Sequence, residues 1–172
     1  DAMAALNFKP NTSAQSLSSK RYNTIGIWGT KSSGEMSRAT LTKIERELQP
    51  FDVSLITTDG ESNSPNQPNA ARQSIDNLIN KGCDGLIIWG SDIQDFDLLQ
   101  LEKEFPNIVL LNHKAESLLE KSFAFDHYQA GYIAGQYLAD NGHKDIAYIT
   151  GWFDTTDANE RHHGFFDALN DN

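Results

Sequence analysis

Short apolar runs alternate with amphipathic stretches along almost the whole chain, and this alternation limits the possible folds more than any other feature. Each apolar run predicts a buried strand, and each stretch between two runs has the three- and four-residue spacing of a helix face. The predicted strands are Thr24–Gly29, Asp52–Thr58, Gly85–Trp89, Ile108–Asn112, Ser122–Phe125 and Ile146–Thr150. Because parallel strands need covering helices as connections, the sequence predicts an α/β fold with a doubly wound parallel sheet.

Helix-ending residues support this order of elements. Pro50 predicts the end of the first helix, and Gly82 predicts the end of the second. The clearest helical stripe comprises Ala130, Ile133, Ala134, Tyr137 and Leu138. A last helix is predicted from about residue 158 to residue 169.

Length and composition exclude several classes of protein. With 172 residues the chain can form one ordinary domain and a piece of another. A net charge of −10 argues against a general polyanion binder, so any nucleic-acid contact must be local. No window is apolar enough to span a bilayer. The N-terminus lacks a secretory signal, although a mature exported protein would look the same. The single Cys83 fits a reducing compartment such as the cytoplasm and is interpreted as a buried structural thiol.

Polar and aromatic residues follow the predicted strands, where open parallel sheets bind their ligands. They are Trp28, Thr30, Lys31, Ser32, Asp59, Trp89, Ser91, Asp92, Asn112, His113, Asp126, Trp152 and Asp154. Flat aromatic faces beside short polar side chains suit a sugar or a nucleobase. For each tryptophan, the alternative is that it only fills the core.

Arg161 stands at the start of the last predicted helix, where its charge is unfavourable to the helix dipole. A fork-shaped donor to a ligand hydroxyl or carboxylate would explain this placement. The alternative is a surface salt bridge to Asp157 or Glu160.

Enzymatic and metal-binding functions find little support. No glycine-rich phosphate loop follows a strand, so a nucleotide cofactor is not expected. His162 and His163 are adjacent on a predicted helix and point in different directions, which argues against a shared metal. Asp126 and His127 also diverge, and no nucleophile motif accompanies them. We therefore expect no catalysis, no cofactor and no metal.

Two stretches resemble a known family. Phe125 to Gly151 (FDHYQAGYIAGQYLADNGHKDIAYITG), followed by Glu160 to Leu169 (ERHHGFFDAL), resembles the effector-binding domain of LacI/GalR-type transcription regulators. Leu6 to Ile27 (LNFKPNTSAQSLSSKRYNTIGI) is similar to the junction at which their helix-turn-helix headpiece passes through a hinge helix into the first strand.

The resemblance implies a periplasmic-binding-protein-like fold of type I, with the first lobe and the beginning of a second. Residues 1–21 would form the end of the headpiece and the hinge, 22–125 the N-terminal lobe, and 126–172 an incomplete C-terminal lobe. The chain would then be a truncated regulator.

The resemblance also assigns roles to individual residues. The effector site would comprise Arg161 as a direct donor, the first-strand loop of Thr30, Lys31 and Ser32, the lining candidates Asp59, Trp89 and Asn112, and Asp126 at the crossover between lobes, with Trp152 as a further strand-end candidate. In the hinge, about Thr12 to Ser19, Leu17 would enter the minor groove of DNA and Ala14 and Gln15 would lie against it.

The implied function is a ligand-responsive, DNA-binding transcription regulator, acting as a repressor. It would be a cytoplasmic homodimer that binds operator DNA and holds a small effector, a sugar or a nucleobase-like molecule, in the cleft between its lobes. The alternative is a periplasmic sugar-binding protein of a transport system. A third option is an enzyme on the same scaffold.

Overall fold

The computed structural model describes residues 21–29, 34–58, 69–90, 93, 95–151 and 156–171. The chain divides into two compact units, one ending at Ser122 and the other beginning at Phe123. The predicted boundaries at residues 21 and 125 stay predictions.

Among these residues, five strands form one sheet in the order β2-β1-β3-β4-β5. Their bounds are Thr24–Trp28 (β1), Ser54–Thr58 (β2), Gly85–Trp89 (β3), Ile108–Leu111 (β4) and Ser122–Phe123 (β5). The pairs β1 with β2, β1 with β3 and β3 with β4 are parallel. Each strand coincides with a predicted one to within a few residues, and the α/β class predicted from alternation is confirmed.

Five α-helices lie in the described part of the chain. Their bounds are Glu35–Leu48 (α1), Ala70–Asn80 (α2), Asp95–Glu104 (α3), His127–Asp140 (α4) and Thr156–Asn170 (α5). Pro50 lies in a short 3-10 helix, Gln49–Phe51, directly after α1. Gly82 follows α2 with a φ of 86°, a left-handed conformation that ends a helix at little cost for glycine.

The core of the first unit lies on the face of the sheet covered by α2 and α3. It contains Ile75 and Leu78 of α2, Leu98 and Leu101 of α3, and inward-facing strand residues such as Ile88. No residue of α1 belongs to this core or is fully buried. The chain moves from β1 to β2 in one direction and then back past β1 to β3. Because such crossovers are right-handed, α1 and α2 lie on opposite faces.

The second unit is organised around a close contact between α4 and α5. Gly131 lies opposite Arg161, and Gly135 lies opposite Phe165, so a step of four residues along one helix matches four along the other. The two helices therefore run in the same direction. This is the arrangement expected of two helices joined through an extended segment.

The strand predicted over residues 146–150 was wrong, because these residues do not form a paired strand within the described part of the chain. Residues 146–150 form no ladder with any described segment. Their burial nonetheless alternates: Tyr148 packs its ring against Phe165 with centroids 4.6 Å apart, whereas Ile149 is 96% exposed. A strand needs a neighbour that supplies hydrogen bonds as well as a suitable sequence, and no described residue of this unit supplies them.

Within the described residues, none of the helices combines the length and apolarity that crossing a bilayer would require.

Candidate functional site

The first part of the candidate site is the carboxyl edge of the sheet between β1 and β3. The strand order reverses at β1, and in open α/β sheets ligands bind outside the strand ends at this reversal. Gly29 follows β1 with a φ of 97°, and an added Cβ would lie 2.0 Å from the Trp89 carbonyl oxygen. Glycine is therefore required here, and it brings the end of β1 against the end of β3.

Trp89 and Asn112 line the same edge from β3 and from the residue after β4. Both are half-buried, as a ligand-lining side chain should be. Asn112 has a φ of 55°, a left-handed conformation that asparagine tolerates better than most residues. The Gly90 amide donates to the Leu111 carbonyl at 3.1 Å, which fixes the relative position of the two strand ends.

Trp28 is part of the core. It is 1% exposed and belongs to the cluster formed with α2 and α3. Its indole Nε1 is buried and has no hydrogen-bond partner among the described residues. For this tryptophan, the core-filling alternative is the one that the structure supports.

A separate group of candidate residues lies in the second unit, at the start of α4. Asp126 is the N-cap of α4, and its Oδ1 accepts a hydrogen bond from the Gln129 amide at 2.8 Å. This bond satisfies one of the amides left unpaired at a helix start. Asp126 is exposed, so this structural role leaves its second oxygen able to accept another bond.

Arg161 lies in the second turn of α5 and contacts the first residue of α4. Its Nη1 is 2.8 Å from Nδ1 of His127. This partner, His127, differs from the carboxylates of Asp157 and Glu160, which the sequence suggested as salt-bridge partners. Arg161 is half-buried. A bond to an uncharged imidazole nitrogen leaves the positive charge of the guanidinium in place.

Three glycines set the distance between the helices that carry these side chains. A Cβ on Gly131 would lie 2.0 Å from the Arg161 carbonyl oxygen, and one on Gly164 would lie 2.0 Å from the Tyr128 carbonyl oxygen. A Cβ on Gly135 would lie 2.4 Å from the Phe165 carbonyl oxygen. The helices therefore meet backbone to backbone, and this contact fixes the main chain of Arg161.

Two tyrosines of α4 fasten the same pair of helices. The Tyr128 hydroxyl donates to Asp167 at 2.9 Å, and the Tyr132 hydroxyl donates to Asp171 at 3.1 Å. These hydrogen bonds raise the pKa of both phenols, because a protonated phenol is needed as the donor.

Several predicted site residues lie outside the described part of the chain, and their roles stay predictions. They are Ala14, Gln15, Leu17, Thr30, Lys31, Ser32, Asp59 and Trp152. The structure thus brings Trp89 and Asn112 to one edge in the first unit, and in the second unit it places Asp126 at the N-cap of α4 and Arg161 in the second turn of α5.

His127 is the residue that sequence reasoning passed over. It was considered only as an acid or base beside Asp126, and that role found no support. Its contact with Arg161 spans 34 positions of sequence and depends on the packing of α4 against α5. The glycines at positions 131, 135 and 164 were the available signal, since glycines spaced along helices permit close backbone approach. In the described residues, no group of three or more His, Cys, Asp or Glu side chains could hold a metal ion.

A parallel sheet whose strand order reverses at β1, with aromatic and polar residues at that edge, defines a class of α/β domains that bind small polar molecules. The family model described as "Periplasmic binding proteins and sugar binding domain of LacI family" matches residues 31–172. The chain belongs to this family.

Proteins with a similar sequence or structure include transcriptional regulators. The chain is 29% identical over 168 residues to the HTH-type transcriptional regulator GalR of Salmonella typhimurium (strain LT2), covering 98% of this chain and 48% of that protein. It is 30% identical over 177 residues to the HTH-type transcriptional repressor PurR of Actinobacillus pleuropneumoniae serotype 5b, covering 99% and 50%. The crystal structure of a LacI-family transcriptional regulator from Burkhoderia phymatum superposes with a TM-score of 0.77 at 30% identity, covering 87% of this chain and 54% of that one. The chain spans about half the length of the curated relatives that it matches.

Proposed function

We propose that this chain is the effector-binding part of a ligand-responsive transcription regulator that acts as a repressor. A small polar effector would bind at the carboxyl edge of the sheet and at the helix starts of the second unit. Its binding would favour one arrangement of the protein over another and thereby change the affinity for operator DNA.

The observation that carries this proposal is the extent of the match to the regulators. The family model begins at residue 31, but the match to GalR covers 98% of the chain. The match to GalR leaves only about four residues of this chain unaligned, so most of the segment before β1 lies within the aligned region. A hinge in that segment is what a DNA-binding regulator needs.

The same observation weakens the alternative of a periplasmic transport component. Such a protein requires the binding lobes but not a DNA-contacting hinge. The matched relatives are regulators rather than enzymes, so we also propose that the protein is not an enzyme and acts in the cytoplasm, where its DNA lies.

A sugar is the favoured effector class. Trp89 offers a partly exposed aromatic face for a pyranose ring, Asn112 offers an amide for its hydroxyls, and Arg161 offers several N–H donors. A purine base would use the same face and donors, and it is the second candidate. Thr30, Lys31, Ser32 and Asp59 are proposed to complete the pocket.

The experiment that tests this function uses the full-length regulator and DNA from its own promoter. A panel of monosaccharides and purine bases is first screened by thermal shift. Operator affinity is then measured by fluorescence anisotropy with and without a saturating hit. We expect the hit to change operator affinity about 5- to 150-fold, as for typical allosteric coupling. Unchanged operator affinity at full occupancy would refute the proposal.

Two further parts of the proposal have their own measurements. Closed two-fold dimers are the commonest soluble oligomers, so sedimentation of the full-length protein is expected to give a homodimer.

In the hinge, Leu17→Ala is expected to weaken operator binding without changing effector affinity, because Leu17 would act only as a wedge in the minor groove. Ala14 and Gln15 are proposed as lesser contacts in that groove.

A further inference from the structure

We propose that His127 is a positioning residue for Arg161, acting through its Nδ1 as a neutral hydrogen-bond acceptor. The inference rests on the proposed function, because Arg161 is the proposed effector donor. It adds that the effector affinity of this protein depends on a residue that need not touch the effector.

The chemistry of the pair fixes the state of the imidazole. An arginine guanidinium carries five N–H donors and has no acceptor. In the 2.8 Å contact between Nη1 of Arg161 and Nδ1 of His127, Nδ1 must therefore accept. A histidine whose Nδ1 accepts carries its proton on Nε2 and is neutral. The contact thus selects one tautomer and one charge state.

The position of His127 makes it suited to this role. It is the first residue of α4, directly after the Asp126 cap, and the edge of its ring lies against Phe125 with centroids 6.2 Å apart. Four residues further along α4, the backbone of Gly131 lies close to the Arg161 carbonyl. One helix therefore fixes both ends of Arg161: the glycine fixes its main chain and the histidine fixes its guanidinium.

A neutral acceptor has a consequence for the ligand. A carboxylate at this position would also orient the guanidinium, but it would neutralise the charge and compete with ligand oxygens for N–H donors. His127 occupies one donor nitrogen and leaves the positive charge in place. The remaining donors stay available to a hydroxyl, carbonyl or carboxylate of the effector.

Three substitutions separate these effects. His127→Asn keeps a neutral acceptor two bonds from Cβ, at the place of Nδ1. His127→Leu keeps the branch at Cγ but is apolar and has no acceptor. His127→Asp supplies a charged acceptor. Arg161→Ala provides the reference for complete loss of the donor.

The first measurement needs no effector. Long-range ¹⁵N–¹H spectra of the labelled chain report which ring nitrogen of each histidine is protonated, and His127→Asn identifies the signals of His127. We expect an unprotonated Nδ1 and a protonated Nε2. We also expect separate Nη signals of Arg161, from hindered rotation, in the wild type and in His127→Asn but not in His127→Leu. A protonated Nδ1 in the neutral ring, or Arg161 signals unaffected by His127→Leu, would overturn the inference.

The second measurement is the affinity of the four variants for D-glucose, D-galactose, D-ribose, hypoxanthine and guanine. With any compound that binds the wild type, we expect His127→Leu to weaken binding roughly tenfold, in keeping with the loss of a hydrogen bond to a charged group. His127→Asn should stay within about threefold of the wild type on the same principle, and His127→Asp should weaken binding because its charge competes.

The two proposals fail in different ways. If Arg161→Ala binds as the wild type does, or if none of the five compounds binds, the assigned effector role loses its support, while the spectra still decide whether His127 positions Arg161. If Arg161→Ala abolishes binding but His127→Leu does not weaken it, the positioning role is wrong and the effector role stands.

Discussion

Replacing Gly131 with alanine tests the closest contact in the second unit. The new methyl would lie 2.0 Å from the Arg161 carbonyl oxygen and 2.8 Å from its carbonyl carbon. An ordinary contact begins at about 3.4 Å, so the two groups would have to separate by about 1.4 Å. Because both are backbone atoms inside helices, no side-chain rotation relieves the clash and the helices themselves must move apart.

The expected cost follows from two opposing effects. Overpacking typically costs about 1–3 kcal/mol and more where the backbone must shift. Alanine is favoured over glycine in a helix by about 1 kcal/mol, which offsets part of this cost. With the steric effect at the upper end of its range, Gly131→Ala should destabilise the contact between α4 and α5 by about 2 kcal/mol.

Hydrogen exchange is the appropriate assay, because the chain has two units and a single unfolding curve would mix them. Amides of α4 and α5 should exchange about thirtyfold faster in Gly131→Ala, since about 1.4 kcal/mol corresponds to a factor of ten. Gly151→Ala is the matched control: its methyl would meet Ala158 at an ordinary 3.7 Å. Equal protection in the two variants would refute a backbone-to-backbone crossing.

Three further predictions concern the first unit. Gly29→Ala should speed hydrogen exchange of the β1 and β3 amides, because φ is 97° and the methyl would lie 2.0 Å from the Trp89 carbonyl oxygen; unchanged exchange would contradict this contact. Asp84→Ala should cost about 0.5–1.5 kcal/mol, measured as faster hydrogen exchange of the β1 amides, since both Asp84 oxygens accept from the Tyr22 amide at 3.0 Å; unchanged exchange would show that the carboxylate does not anchor the chain at the start of β1. Burial raises the pKa of the Cys83 thiol, and nearby Asp84 adds to the rise, so the folded chain should react slowly with a thiol reagent and faster as the pH rises; rapid reaction at neutral pH would contradict this burial.

The elements of the fold were predictable because their signals are local. The strand Gly85–Trp89 was predicted to the residue, since an apolar run between Gly82 and a polar loop has few other interpretations. Pairing is not a local property, and for this reason residues 146–150 kept the alternating burial of a strand without a described partner. Sequence identifies which face of a segment is apolar, but not whether a neighbour is present to form the ladder.

The candidate site was predictable only in part, for a related reason. Trp89 and Asn112 were predicted because a rule of topology assigns ligands to strand ends, and their ligand role stays a prediction. Trp28 satisfies the same rule, yet its side chain points into the core. Successive side chains of a strand face opposite sides of the sheet, so a position at the strand end does not decide which side a residue faces. His127 followed no rule of position. Its role depends on a helix crossing that only the packed structure displays.

The two groups of candidate residues, one in each unit, share one construction. In the first unit the carbonyl of Trp89 rests against Gly29, and in the second the carbonyl of Arg161 rests against Gly131. In both, a proposed ligand residue is located by its main chain, so that its side chain remains available to the ligand. Two kinds of variant should therefore differ: Arg161→Ala removes donors and should lower effector affinity while stability is kept, whereas Gly131→Ala displaces the residue and should lower both. A side-chain contact in place of the glycine would fix Arg161 less directly, because side chains can rotate and backbone carbonyls within helices cannot.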